Sequence, residues 1–463
     1  MISYPLITDD NFYGSYSNLN PFGITMKRLL LVLFLTFSGI ICGLWRPFYS
    51  LCIYVWFAYM RPQEWLFGAS WFAAMRPSLI LAAVTIGGAI FNREKIFRFN
   101  KFTILLLLLW VWVTISWLNA KSPPIATFWM DYFTKLMILG CVMTGLVNSK
   151  YRIFAVIMTL VVTLGFYGGK SGLFGIITGG RIMEGPGGMI KDNNDFALAF
   201  NMILPFIYFS REFFIHPKYK KVKLALLGLF YLTVVGVVFT FSRGGFLGLI
   251  AVIILINLRS KQKFFSLIIL ALGALVILAF FIPEEYKARI GTITYEEGER
   301  DESIGGRLHF WEVALVMAQD YPLYGVGPGC YQVMYNDYDT SAGYYGRNRA
   351  VHNSYLQMLT NNGYPALALF LSLIALALIT CAKLRFKVRK RKDLYWIHAC
   401  ASAFEISIVA YCVCGMFLSL AYADLIYHLF FMVSAFEHVA LRHINAPQTQ
   451  YAQTVVQAQF ATA

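Results

Sequence analysis

Apolar runs of membrane-spanning length follow one another along this chain, and the short connectors between them are where Lys and Arg cluster. A hydrocarbon core roughly 30 Å thick takes about 20 apolar residues per helix. By that measure the candidate spans are 29–46, 78–91, 102–118, 127–147, 151–168, 193–210, 224–241, 244–258, 264–282, 362–382, 394–416 and 418–436, about twelve in all. The run 48–60 is too short to rank with them. Of the 463 residues 58% are hydrophobic and 14% charged, and mean hydropathy is +0.60. A soluble domain carries roughly a quarter charged residues, so a water-soluble fold is excluded. The expected fold class is an all-α polytopic membrane protein.

The net charge of +15 reads as topology and not as a nucleic-acid footprint. Five basic connectors, 92–101 (NREKIFRFNK), 148–152 (NSKYR), 216–223 (HPKYKKVK), 259–263 (RSKQK) and 383–392 (KLRFKVRKRK), fall on one side under a single alternation. The positive-inside rule makes that side cytoplasmic. On the other side lie 61–77, 119–126, 169–191, the SRGG corner at 242–245 and one long acid-rich loop, 283–361. The chain therefore divides into an N-terminal segment (1–28), a transmembrane bundle (29–282), the large loop (283–361), C-terminal transmembrane helices (362–436) and a cytoplasmic, disordered tail (437–463). Parity leaves the side of the N-terminus dependent on whether 48–60 crosses. The first residues, with Asp9 and Asp10, lack the basic start and small-residue cleavage site of a signal peptide.

Within the large loop, 307–320 (RLHFWEVALVMAQD) has helical apolar spacing at Leu308, Trp311, Ala314 and Leu315 and stops at Tyr321–Pro322. An amphipathic helix lying as a lid over the bundle mouth is expected. Seven of the eight cysteines lie in or beside apolar runs and only Cys330 falls in the loop, so no disulfide framework is available there. No CxxC or His/Cys ligand spacing occurs, which argues against zinc or an iron–sulfur cluster.

Charge at the outer rim of a span is a candidate for function, since a charged residue costs about 2.5–3.5 kcal/mol at the bilayer centre. Arg243 sits at an outer helix–helix corner beside Gly244 and Gly245, which leave room for close approach of a chain or ligand; a snorkelling interfacial Arg is the alternative. Arg307 opens the loop helix beside Gly305 and Gly306, where a guanidinium and free N–H groups suit an anion; a solvated surface Arg is its alternative. His352, where the chain re-enters the membrane, is the best general-base candidate on the outer face, with His309 as competitor and a structural hydrogen bond as the plainer role. Asp337-Tyr338-Asp339 has the DxD form but reads better as an acidic turn. Asp131/Lys135 and Asp424/His428 are i,i+4 pairs that suit mutual packing or, in a transporter, a proton relay.

These residues fall within three segments, FTFSRGGFLGL (239–249), GRLHFWEVALVMAQDYPLYGVGPGCY (306–331) and HNSYLQMLTNNGYPALAL (352–369), whose order and topology resemble the O-antigen ligase/polymerase superfamily. YMRPQEW (59–65) and GGRIMEGPGGMIKDNNDFALA (179–199) resemble its exosortase-associated O-glycosylation ligase branch. The resemblance covers about 29–436. It implies a C-type glycosyltransferase-like fold in the bacterial inner membrane, a periplasmic active site, an undecaprenyl-diphosphate-linked glycan as donor, and neither metal, nucleotide sugar nor cofactor. It carries catalytic roles onto Arg243, Arg307 and His352, and substrate contacts onto Lys170, Arg181, Asn194 and Trp311. The acceptor hydroxyl, on glycan, lipid or protein, is not legible. A ligase is expected, with an O-antigen or exopolysaccharide polymerase close behind; a polysaccharide flippase would carry its charges along a central path instead.

Overall fold

The computed structural model describes residues 21–66, 70–214, 216–260 and 304–446. The expected span 264–282, the start of the large loop to residue 303, the first 20 residues and the tail from 447 lie outside them. Among the described residues the fold is all-helical, with one isolated bridge between Glu184 and Asp192 and no strand. Among the described residues eight helices are long and apolar enough to cross a membrane. The chain divides into two compact units, 1–92 and 93–463.

The first unit holds α1 (Pro21–Trp45), α2 (Pro47–Met60), the short α3 (Ser70–Ala74) and α4 (Pro77–Phe91). Proline opens α2 and α4, where its missing N–H would be unpaired in any case. The stretch 48–60 is thus a true helix, packed against α1 and α4 around Val32, Phe57, Leu66, Phe72 and Leu81. At 14 residues it reaches only about 21 Å, short of the hydrocarbon thickness.

The second unit contains α5 (Lys101–Leu118), α6 (Pro123–Leu146), α7 (Lys150–Thr178), α8 (Asn193–Ser210), α9 (Lys220–Phe239) and α10 (Arg243–Arg259). After the undescribed stretch come α11 (Ile304–Asp320), α12 (Tyr331–Tyr338), α13 (Ser354–Val388), α14 (Tyr395–Cys414) and α15 (Asp424–Asn445). Between helices in lipid the hydrophobic effect gives little, and close approach through small residues matters more. Gly172 of α7 shows this: a Cβ there would lie 1.9 Å from the Leu232 carbonyl oxygen of α9.

Three expected boundaries move, and one expected helix face turns. The helix predicted over 151–168 runs on to Thr178, so Lys170 belongs to α7 and not to an outer loop. The span expected at 362–382 is the middle of α13, which starts right after His352 and Asn353 and kinks at Gly363 (φ +80°). Only glycine fits there, because a Cβ would sit 2.0 Å from the Leu323 carbonyl oxygen as α13 bends around the turn after α11. The span expected at 418–436 begins at Asp424, leaving 415–423 as a non-helical turn. Last, α11 buries Phe310, Val313, Ala314, Met317 and Ala318, while Leu308 and Leu315 stay 57% and 46% exposed. Of the apolar spacing Leu308, Trp311, Ala314 and Leu315, only Ala314 is fully buried, so the buried face is rotated from that stripe.

The described part of the large loop is a packed cap and not a loose lid. Phe310, Val313, Met317, Tyr331 and Tyr335 form a core with Ala126 of α6 and Val351, flanked by Trp117 and Ala120. Burying a Phe or Met side chain from water in such a core gives roughly 1.5–3 kcal/mol. Main-chain bonds tie it down: Lys121 N to Val326 O, Val326 N to Thr360 O and Gly327 N to Asn361 O, each 2.9 Å.

Candidate active site

Two corners at the cap end of the second unit are built alike. At one, the chain leaves α9 and turns through Phe241, whose φ of +56° is left-handed, into Ser242, the N-cap of α10. Ser242 Oγ accepts from Gly245 N at 3.0 Å, and Arg243 follows as an exposed first helical residue. At the other, His352 is itself left-handed (φ +48°) and precedes Asn353, whose Oδ1 accepts from Tyr355 N at 3.0 Å and Leu356 N at 3.1 Å. A left-handed non-glycine residue costs about 1–3 kcal/mol and is found where a site needs a side chain aimed off the regular path. The N-caps, worth about 1 kcal/mol each, help hold both turns.

The turn 415–423 joins the two corners. Phe417 packs on Gly244, where a Cβ would come 3.1 Å from Phe417 Cβ. Two residues on, Ser419 Oγ accepts from His352 N at 2.8 Å. Ser354 fixes the same turn: its N donates to Gly415 O at 2.7 Å, and its Oγ donates to Leu418 O at 2.7 Å and accepts from Leu420 N at 3.0 Å. Gln357 Oε1 accepts from Ala421 N at 2.8 Å. Arg243 and His352 therefore flank one rigid element. The space expected beside the SRGG glycines is filled by protein, for a Cβ on Gly245 would come 2.6 Å from Ala197 Cβ.

Helix α11 brings the third group. Arg307, Phe310 and Trp311 stand three and four residues apart and so share one side of the helix. The Phe310 ring lies 6.3 Å from the His352 ring, and Arg307, half-buried, stands one turn before it. Trp311 sits at the edge of the cap core with a buried indole N–H that has no acceptor among the described residues, a donor fit for a ligand.

The remaining candidates are less tightly gathered. Arg181 is exposed on the loop after α7, which is pinned to the SRGG corner by Ile182 N donating to Phe239 O at 2.9 Å and Asn193 Nδ2 donating to Thr240 O at 2.8 Å. Asn194 is engaged locally, donating to Asp192 Oδ1 at 3.0 Å and Asn193 Oδ1 at 3.2 Å. Lys170 is exposed on α7, roughly 12 Å along the axis from its end at Thr178.

His309, the rival base, is committed elsewhere. Its Nε2 meets Asp339 Oδ1 at 2.7 Å and its ring stacks on Tyr345 at 5.1 Å. Burial works against the Asp339 charge, but bonds from Ser341 Oγ and N, from His309 and from Gly343 N outweigh it and hold its carboxyl down at about 2. Asp339 is thus the hub of a turn, while Asp337 is exposed. Among the described residues no three His, Cys, Asp or Glu side chains group as metal ligands. Asp131 pairs with Lys135 on the exposed side of α6, and Asp424 accepts from the Tyr132 hydroxyl. Sequence reasoning missed Phe417 and Ser419, which have no local signal. Asn353 could have been found as a capping residue ahead of an apolar run.

Fold and site together define a multi-pass helical membrane protein whose basic and imidazole side chains gather around one capped end of its bundle. Residues 228–371 match a family model described as O-Antigen ligase, a match that supports the O-antigen ligase superfamily. That span contains Arg243, Arg307 and His352. Residues 26–211, with Lys170, Arg181 and Asn194, match a family of unknown function, DUF5935. No curated protein matches the chain. The superfamily supports a membrane glycosyltransferase of the ligase or polymerase kind.

Proposed function

We propose that this protein is a bacterial inner-membrane glycosyltransferase that moves a glycan from an undecaprenyl-diphosphate donor to an acceptor hydroxyl on the periplasmic side, as an O-antigen ligase does. The observation that carries this reading is the turn 415–423, with Phe417 against the Arg243 corner and Ser419 bonded to the His352 backbone. In this reading the chain from 283 to the start of α13 is the periplasmic loop, and the cytoplasmic tail begins only after α15, at 446 and not at 437. Arg243 and Arg307 stabilise negative charge growing on the departing diphosphate, as fixed cations in a water-poor site do. His352 takes the proton from the acceptor hydroxyl. Attack opposite the leaving group inverts the anomeric carbon, and neither metal nor nucleotide takes part. Trp311 and Arg181 support glycan binding, with Lys170 and Asn194 further out.

The test supplies purified protein with undecaprenyl-diphosphate glycan and candidate acceptors in EDTA. Release of undecaprenyl diphosphate is expected, and the lengthened species names the acceptor: a chain extended by repeat units indicates a polymerase, a glycan on a new core indicates a ligase. Vectorial movement of intact donor without bond cleavage overturns the reading in favour of a flippase.

A further inference from the structure

At the end of α5 and α15 remote from the cap, four basic side chains from two segments converge. Asn100 caps α5 and donates to Ser434 Oγ of α15 at 2.8 Å, and Lys101 pairs with Glu437 at 2.6 Å. This docking sets the extended segment before α5 against the last turns of α15. Arg98 is held there by its N to Thr144 Oγ1 at 3.1 Å and its Nε to Thr144 O at 3.4 Å. His438 and Arg442 stand four residues apart on one face of α15, and the charges of Arg98, Arg442 and Lys95 all act on His438. Burial and the Arg442 charge both lower the Arg98 pKa.

The neighbouring carboxylates are spoken for: Glu94 is bidentate to Arg152 at 2.6 and 3.2 Å, and Glu437 holds Lys101. Among the described residues no carboxylate pairs with Lys95, Arg98, His438 or Arg442, and residues 446–463 contain no Asp or Glu. Like charges brought together this way repel unless an anion sits among them. The adjacent face of α15, at Glu437 and Leu441, lines with Leu384 and Phe386 of α13 an open groove of about 580 Å³ that could seat hydrocarbon beside the charges.

We propose that Lys95, Arg98, His438 and Arg442 form a binding site for a phosphate-bearing ligand, and that the groove beside them favours an anionic phospholipid over free phosphate. A basic pocket between spans at a membrane surface recognises lipid headgroups by this chemistry, each cation adding to the attraction of the anionic leaflet. The site is separate from the proposed transfer chemistry, so either can fail alone.

The full chain is purified in detergent and its retained lipid measured by native mass spectrometry after exchange into diphosphatidylglycerol, phosphatidylglycerol or phosphatidylcholine. Selective retention of the anionic lipids is expected, lowered roughly tenfold or more in Arg98→Gln/Arg442→Gln and clearly in Arg442→Gln alone, whose exposed position spares the fold. The charge-matched control Lys221→Gln/Lys223→Gln should keep wild-type retention, and Arg98→Lys/Arg442→Lys should keep most of it. Competition by millimolar inorganic phosphate with no lipid preference assigns the site to a soluble phosphate and overturns the lipid half. Equal retention in wild type and Arg442→Gln, or equal loss in the control, overturns the site.

Discussion

At the basic end of the second unit, charge is used as mortar: Glu405 of α14 accepts from Arg259 of α10 at 3.0 Å and from Arg385 of α13 at 3.0 Å, and Glu94 clamps Arg152. At the capped end the candidate residues are aimed through the main chain instead. His352 is fixed by its backbone N–H and a left-handed φ, and Arg243 stands exposed at the head of α10, making no ion pair among the described residues. Even within the cap the two histidines differ, since the His309 imidazole is bonded to Asp339 and the His352 imidazole faces the Phe310 ring. Side chains locked to one another hold helices together at the basic end, whereas Arg243 and His352 are placed by the backbone of the turns that open α10 and α13.

That contrast breaks most plainly at His352. His352→Ala should lower turnover by roughly 10²–10⁴ while donor affinity is largely kept, as removing a base but not an anion site requires. His309→Ala should instead lower cap stability and leave turnover per folded molecule within a few-fold. Single-turnover rates beside donor titrations decide it, and equal losses in the two variants would erase the distinction. Arg243→Ala should weaken donor binding as turnover falls, by a charge-assisted contact worth about 1.5–3 kcal/mol, with Lys restoring only part because it lacks the planar fork.

At the basic end, Glu405→Gln should lower thermal stability by about 1–3 kcal/mol through two weakened pairs, with turnover per folded molecule unchanged. A thermal melt beside an activity assay is the check, and a specific loss of turnover would mean that the helix clamp reaches the site. The smallest effect is expected at the DxD triplet. Asp337→Asn should be silent, and Asp339→Asn should loosen the cap without making activity depend on added magnesium or manganese. Because the folded-state pKa of Asp339 is depressed, its contribution is present above the unfolded value near 4 and lost as pH falls through about 2. Protease resistance of the cap should fall over that window in wild type and not in Asp339→Asn.

The sequence by itself determined the membrane class and the helix after Gly306, and it singled out Arg243, Arg307 and His352 as candidates, because apolar length and stranded charge are local properties that lipid selects residue by residue. Only the tertiary structure decided that the turn 415–423 links two of those candidates, that Asp339 binds His309, and that Leu308 and Leu315 face outward. Ser419 and His352 are 67 positions apart, and nothing in either neighbourhood encodes their bond. Such pairings arise from how helices pack, and in a membrane that packing is set by shape at small residues such as Gly244, Gly245 and Gly363, which a hydropathy pattern does not carry.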